Sequence, residues 1–553
     1  MIMTKKSGSE LLVECLEAQG VEYVFGIPGA KIDGVFNALV DSNIKLIVCR
    51  HEQNAAFIAA AYGRLTGKPG VVLVTSGPGV ANLATGLLTA TTEGDPVVAI
   101  GGNVPQDMEL KHSHQGTDNV KLMEAVTKSS VEAHVVNSIP EIVENAFRTA
   151  IDPASGACFI SMPQDVLSQM TDKKPIPIIP KPVYGAAPLS LVDDVADLIN
   201  QANQPVILLG MEASRPENTR AIRALLEHAP FAVVSTYQAA GTIPNSLLDC
   251  FIGRVGLFKN QPGDKILDIA DVVLTIGFNS VEYDPEIWNA SDNKAIIHLD
   301  YKPCDVHSTY HPVCELIGDI ATNVDELAPK LKKRPFIHNN KAIEVAQKEL
   351  IDKIKAGKDL SKSPIHPLRF IYELSEVVDN DTTVCCDIGS VYMWMARYFF
   401  SYRPHQLLFS NGQQTLGVAL PWAIATNFAS PEQKVISISG DGGFLFSAME
   451  LETAVREGVH FVHFIWRDGT YNMVKEQEIM KYHRKSGVDF GSINIPDFAS
   501  SFGALGLELH RPEDFKSIFH RAMQSKKPVL IDVPIDYSDN EGLFKVVDPN
   551  LGH

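Results

Sequence analysis

Tryptophan and cysteine are scarce in this chain, four and eight among 553 residues. The cysteines stand at 15, 49, 158, 250, 304, 314, 385 and 386, and no Cys-x-x-Cys occurs. That spacing suggests neither a zinc site nor a disulfide framework and fits a reducing cytoplasm. No apolar run reaches the ~18 residues that a membrane span needs. Met1 to Ser7 holds two lysines with no apolar stretch or cleavage site behind them, so export is not expected. Basic charge is in deficit: 48 Lys and Arg face 66 Asp and Glu, a net charge of −18. This argues against nucleic acid or an anionic membrane as the main partner. No Gly-x-Gly-x-x-Gly stands at a strand–helix turn. Gly63-Arg64-Leu65-Thr66-Gly67-Lys68 has one residue too few between its glycines for a phosphate loop and reads as a helix end. His51-Glu52 has no histidine at 55, which removes a zinc-protease helix.

What is present is an ordinary globular composition, 45% hydrophobic and 21% charged, in a chain too long for one core. Ser7-x-x-Glu10 reads as a capping box for a helix that stops near Gly20. Apolar runs at 23–25, 44–49, 71–75 and 97–100 then alternate with helical periods from 32, over 52–66 and from 80. Strand and helix in turn imply a parallel sheet covered on both faces. The Pro-rich stretch 173–182 reads as an extended linker. A second unit has strands at 206–209, 231–235, 272–276 and 295–299. A polar, Lys-rich segment, 330–364, precedes a third, with strands at 383–386, 435–439, 461–466 and 529–533. The expectation is an α/β protein of three doubly wound parallel-sheet domains, 1–172, 183–330 and 365–553. The first and third share a rhythm without a literal repeat.

The most telling stretch is Gly440-Asp441-Gly442-Gly443, followed 27 positions after Asp441 by Asp468 in Ile465-Trp466-Arg467-Asp468-Gly469-Thr470-Tyr471-Asn472-Met473. Each carboxylate ends an apolar strand-like run. Two such acids beside free backbone N–H groups describe a site for a hard divalent cation and the phosphates it bridges. Asp441, Asp468 and the carbonyl of Thr470 are the candidate ligands for Mg²⁺. The glycines Gly442 and Gly443 let N–H groups approach an anion ahead of a helix expected over 446–455. Asp387-Ile388-Gly389-Ser390 follows another strand, opens another helix and can cradle phosphate in the same way.

These motifs resemble the thiamine-diphosphate-dependent enzymes, and within them the catabolic, FAD-independent acetolactate synthases. The resemblance also rests on Phe25-Gly26-Ile27-Pro28-Gly29-Ala30-Lys31, Arg50-His51-Glu52-Gln53-Asn54, Thr75-Ser76-Gly77-Pro78-Gly79 and Ser410-Asn411-Gly412-Gln413-Gln414-Thr415-Leu416-Gly417. Most of that family has Asn-Asn where Asp468-Gly469 stands here. The resemblance implies pyrimidine-binding, central and diphosphate-binding domains, and thiamine diphosphate with Mg²⁺. It implies Glu52 as the acid on the pyrimidine ring, Gln414 as the carbonyl that receives the ring's amino group, and Leu416 as the apolar prop beneath the cofactor. Gly389, Ser390, Gly442, Gly443, Asn472 and Met473 would complete the cofactor site, and Lys31, Gln115 and Gln477 would face substrate. Gly116 stands where the catabolic group has Ser, and Glu476 where an apolar residue is expected. Gly210-Met211-Glu212-Ala213 replaces the Gly-Gly-Gly of flavin-dependent relatives, so no FAD is expected. The implied reaction is the decarboxylating condensation of two pyruvate molecules to 2-acetolactate and CO₂, on the route to acetoin and 2,3-butanediol. It implies a cytoplasmic homo-oligomer, a dimer at least and a tetramer by expectation, with active sites at the subunit interface. Pyruvate oxidase, pyruvate decarboxylase and anabolic acetohydroxyacid synthase are alternatives within the family. A catalytically silent scaffold is the alternative outside it.

Overall fold

The computed structural model describes residues 5–333 and 340–544; the start of the N-terminal stretch read above as lacking an export signal lies outside them. A two-stranded antiparallel ribbon, β1 (Lys6–Ser7) with β8 (Met170–Thr171), closes the first domain. Between them lie β2 (Tyr23–Ile27), β3 (Lys45–Val48), β4 (Gly70–Val74), β5 (Val97–Asn103), β6 (Ser129–Glu132) and β7 (Ala157–Pro163). They form a parallel sheet in the order β3-β2-β4-β5-β7-β6. The capping box at Ser7 and Glu10 forms as expected, and its helix, Gly8–Ala18, ends one residue before Gln19. The helix Glu52–Thr66 has the expected bounds, with Gly67 at φ 68° ending it. The chain divides into two compact units. The first contains residues 1–182 together with two helical pieces from far along the chain, Leu420–Glu432 and Ser447–His460.

The second unit holds two further parallel sheets. In one, β9 (Pro205–Leu209), β10 (Ala232–Ser235), β11 (Phe251–Arg254), β12 (Val272–Ile276), β13 (Ala295–Asp300) and β14 (Cys314–Ile317) run β11-β10-β9-β12-β13-β14. In the other, β15 (Thr382–Cys386), β16 (Leu407–Leu408), β17 (Lys434–Gly440), β18 (Val462–Arg467), β19 (Leu505–Glu508) and β20 (Val529–Pro534) run β16-β15-β17-β18-β20-β19. The central strands β9, β12, β15 and β20 are buried along nearly their whole length, which is why they read as unbroken apolar runs. Each sheet has its own apolar core. The first and third sheets share one strand order, so the common rhythm noted in the sequence is a common topology. The central sheet has the 3-2-1-4-5-6 order of dinucleotide-binding domains.

Two local readings are corrected. The polar segment 330–364 contains a helix, Lys341–Ala356, whose Ile343 and Ala346 join the central core. Its exposed lysines hid the apolar stripe. The helix expected over 446–455 instead begins at Asp441, stops at Leu445 and resumes at Glu450–Glu457. Across the break, Glu450, Leu451 and Glu452 donate to the carbonyls of Ser447, Ala448 and Met449, tight three-residue turns in place of α-helical bonds.

Asp300 ends β13 almost fully buried, and its Oδ1 accepts the Tyr301 N–H at 2.6 Å. Burial first, and then nearby Glu212, pushes its carboxyl up to about 7 from an ordinary 3.8. Between those values the folded chain holds a proton that the unfolded chain releases. Stability from this group is therefore complete below the ordinary value and is lost as pH rises through about 7, at roughly 1.4 kcal/mol per unit. Asp300→Asn should flatten the fall in thermal midpoint between about pH 4 and 7. Parallel profiles for wild type and variant would contradict this.

Candidate active site

In the third sheet the chain order reverses between β15 and β17, the place where open parallel sheets bind ligands. β15 runs into Asp387 and then Gly389, which has φ 113° and open space where a side chain would stand. Gly389 precedes the helix Ser390–Tyr398, and no side chain caps that helix start. β17 runs into Asp441. Its Oδ2 accepts from the Gly469 N–H at 2.7 Å, and its Oδ1 from the Gly442 N–H at 3.0 Å. Asp468, at the end of β18, accepts from Thr470 Oγ1 at 2.7 Å and Asn472 Nδ2 at 2.8 Å. The structure thus brings Asp441, Asp468 and Thr470 together. Burial pushes Asp441 up to about 6, and Asp468 adds to that, against the pull of the Gly469 and Gly442 N–H groups. Lys475 Nζ lies 3.8 Å from Asp468.

This donor set fits a hard divalent cation: two carboxylates and a backbone carbonyl, all oxygen. A cation there would relieve both the burial of Asp441 and its repulsion by Asp468. The phosphate reading needs one revision. The helix at Gly442 and Gly443 has five residues, too short to carry a dipole argument. Gly442 is required instead by close approach, since a Cβ there would stand 2.7 Å from the Tyr471 ring; at Gly443 a Cβ would meet Asp387 at 3.0 Å. The helix Asn472–Tyr482 starts without a side-chain cap, leaving the Asn472 and Met473 end open to an anion. Gln477 sits one turn beyond Met473 on the same face, half-buried. Gln414, at φ 51°, and Leu416, packed against the third core, follow β16. A cleft opens beside Asp441 and Asp468, lined also by Arg467, Phe490 and Ile493.

In the first sheet the order reverses between β2 and β4. Lys31 follows β2, Glu52 opens the helix after β3, and Gln115, at φ 62°, follows β5. All three stand beyond the carboxyl ends of the strands. Gln115 lies against Gly77, where a Cβ would be 3.2 Å from its Cα, and a Cβ on Gly79 would be 3.6 Å from Glu52 Oε1. Glu52 is half-buried and accepts from Asn82 Nδ2 at 2.9 Å. Full apolar enclosure of the helix begins only at Asn54. Thr75 Oγ1 and Ser76 Oγ in the same loop are buried with no hydrogen-bond partner among the described residues, as expected of a place that receives a polar ring edge.

Family models match all three domains. The description "Thiamine pyrophosphate enzyme, N-terminal TPP binding domain" matches residues 6–123, its central domain matches 192–327, and its C-terminal TPP binding domain matches 387–533. This chain belongs to the thiamine pyrophosphate (thiamine diphosphate) enzyme family. It is 51% identical over 542 residues to "Acetolactate synthase" of Bacillus subtilis (strain 168), covering 98% of this chain and 95% of that protein. It is 45% identical over 537 residues to "Acetolactate synthase, catabolic" of Raoultella terrigena, covering 96% of each. A "Probable acetolactate synthase large subunit" of Methanococcus aeolicus is 31% identical over 560 residues, 96% of this chain and 92% of that one. The chain is therefore a thiamine-diphosphate enzyme of the acetolactate synthase group.

Within this thiamine enzyme, three functional supports escaped the sequence reading. Asp387 is fully buried and accepts from the N–H groups of Ile388 at 2.8 Å, Gly417 at 2.9 Å and Ala419 at 3.2 Å. It ties the loop of Gln414 and Leu416 to the end of β15. Burial holds it near 6, with those three bonds pulling the other way. Glu282 occupies the central sheet's switch point, accepting from Met211 N at 2.9 Å and Thr236 Oγ1 at 2.6 Å. Gly210 there lies so close to Phe278 that a Cβ would stand 2.3 Å from its Cα. Glu450, in the first unit, is wholly buried. Its carboxylate accepts from the N–H groups of Arg50 at 2.9 Å and His51 at 3.0 Å and from Asn54 Nδ2 at 3.2 Å, fixing the turn that delivers Glu52. Burial pushes its carboxyl up. Thr453 Oγ1 also donates to this carboxylate, at 2.6 Å, so Glu450→Ala would take the acceptor from four donors and should cost about 3 kcal/mol in denaturant unfolding, with Glu450→Gln costing less. A change within about 0.5 kcal/mol for Glu450→Ala would contradict that role.

Proposed function

We propose that this chain is a catabolic acetolactate synthase that joins two pyruvate molecules into 2-acetolactate with loss of CO₂, on the route to acetoin and 2,3-butanediol. The observation that carries the reading is the oxygen-lined corner of Asp441, Asp468 and Thr470 beside Gly389, in a chain half identical to a protein named acetolactate synthase. Thiamine diphosphate, when bound, supplies a carbon centre that decarboxylates a 2-keto acid and passes its acyl unit to a second one. Asp441, Asp468 and the Thr470 carbonyl hold Mg²⁺. Gly389, Ser390, Gly442, Gly443, Asn472 and Met473 hold the diphosphate. Glu52 would hydrogen-bond the pyrimidine edge, the Gln414 carbonyl would accept from the ring's amino group, and Leu416 would give the cofactor an apolar support, which together would orient it for reaction. Lys31, Gln115 and Gln477 orient the pyruvate carboxylate.

The central domain takes no flavin in this reading. Its switch point is filled by the protein's own carboxylate, Glu282, on the N–H that a dinucleotide phosphate would need. The assembly is a cytoplasmic homo-oligomer, a dimer of dimers, in which one subunit's Glu52 serves its partner's cation corner. Leu445, Phe446, Tyr471, Val474, Ile479 and Tyr482 leave large apolar side chains exposed around that corner, as an interface or substrate pocket requires. Among the described residues no helix is long and apolar enough to cross a membrane.

Purified protein given pyruvate, Mg²⁺ and thiamine diphosphate should release 2-acetolactate and show no flavin absorbance. Glu52→Gln should slow turnover by at least about 100-fold while cofactor uptake persists. Acetaldehyde, or acetate formed with consumption of dissolved O₂, as the main product would replace this reading with another reaction of the same family. An unchanged rate in Glu52→Gln would remove Glu52 from the chemistry.

A further inference from the structure

The end of the described chain reaches the cation corner through one buried side chain. Asn540 is fully buried in the turn 537–544, which Leu543 and Phe544 anchor in the core. Asn260 Nδ2 donates to the Leu543 carbonyl at 2.6 Å, and Phe544 packs edge-on against Phe258 at 5.2 Å. Asn540 Oδ1 accepts from Trp394 Nε1 at 2.6 Å. Its Nδ2 donates to Asn472 Oδ1 at 2.5 Å and to Ser390 Oγ at 3.0 Å. Ser390 Oγ also donates to Asn472 Oδ1, at 2.8 Å. Asn472 Nδ2 in turn faces Asp468.

We propose that Asn540 is a positioning residue for the cation corner, the middle link of a one-way hydrogen-bond relay from Trp394 through Asn472 to Asp468. The sense of the relay follows from the indole, which can only donate. Whatever faces Trp394 must accept, so Asn540 turns its oxygen there and its amide N–H toward Asn472. Asn472 must then present oxygen to Asn540 and N–H to the carboxylate of Asp468. A carboxamide alone has two nearly equivalent orientations; the wrong one at 472 would set an oxygen against Asp468 and repel it. The relay removes that choice with no charge of its own. It rests on the reading of Asp441, Asp468 and Thr470 as cation ligands, and every member is buried or nearly so: Trp394 is 1% exposed and Asn472 6%.

The test is the Mg²⁺ affinity of the full-length protein at saturating thiamine diphosphate, by calorimetry, beside the melting temperature without cofactor. Asn540→Asp still accepts from Trp394 but offers Asn472 only acceptors, so it reverses Asn472. It should weaken Mg²⁺ binding by about 10- to 100-fold. Trp394→Phe keeps the packing and frees the sense of the relay, so a smaller loss is expected. Asn540→Asp combined with Asn472→Ala should bind no worse than Asn472→Ala alone. Wild-type Mg²⁺ affinity in Asn540→Asp and Trp394→Phe, with only the melting temperature lowered, would overturn the relay and leave a packing role; so would losses that add. A wild type that takes up thiamine diphosphate equally well without Mg²⁺ would instead overturn the cation corner on which the relay rests.

Discussion

Two carboxylates of like charge, Asp441 and Asp468, stand at the ends of neighbouring parallel strands and are held there chiefly by neutral N–H and O–H donors. Among the described residues the one cationic group within 4 Å of either is Lys475, 3.8 Å from Asp468. Parallel strands bring their carboxyl ends to one edge of a sheet, and the reversal of strand order between β15 and β17 opens a crevice there. The protein has filled that crevice's walls with acids and glycines. Neutral donors, backbone at Asp441 and chiefly side-chain at Asp468, fix the acids without neutralising them. Asp387, itself buried on three N–H groups, sets the loop of Gln414 and Leu416 against the same edge.

The first and third domains repeat one strand order. One presents Glu52, Lys31 and Gln115 beyond its strand ends, and the other presents the cation corner. The central domain has the topology of a dinucleotide-binding sheet, and at its strand ends Glu282 accepts from Met211 N while Gly210 lies close against Phe278. The same architectural feature thus carries different side chains in the two kinds of sheet. The difference lies in a few side chains at strand ends.

The strands and the pair of strand-end carboxylates were legible in the sequence because their signals are local. Buried parallel strands are short apolar runs, and β12 lies at the residues the run marks. Asp441 and Asp468 declare themselves by following such runs. The helix Glu52–Thr66 was legible from its periodicity and its terminal glycine. Supports that act across the fold were not legible. Glu450 lies 400 residues from Arg50, whose N–H it holds, and on its own helix it is one glutamate among several. Asn540 sits in a short turn near the end of the chain with no motif around it. The break at 446–449 was missed because helical composition continues through it. The helix Lys341–Ala356 was missed because its buried residues are few among lysines.

The central claim is that one metal ion touches both the strand-end carboxylates and the cofactor's phosphates. Mn²⁺ substituted for Mg²⁺ tests it most directly, because electron–nuclear double resonance reads phosphorus coupled to the bound ion. The account predicts ³¹P coupling in the wild-type complex with thiamine diphosphate, and loss of the bound Mn²⁺ signal in Asp441→Asn. Mn²⁺ bound without phosphorus coupling, or bound undiminished in Asp441→Asn, would contradict it.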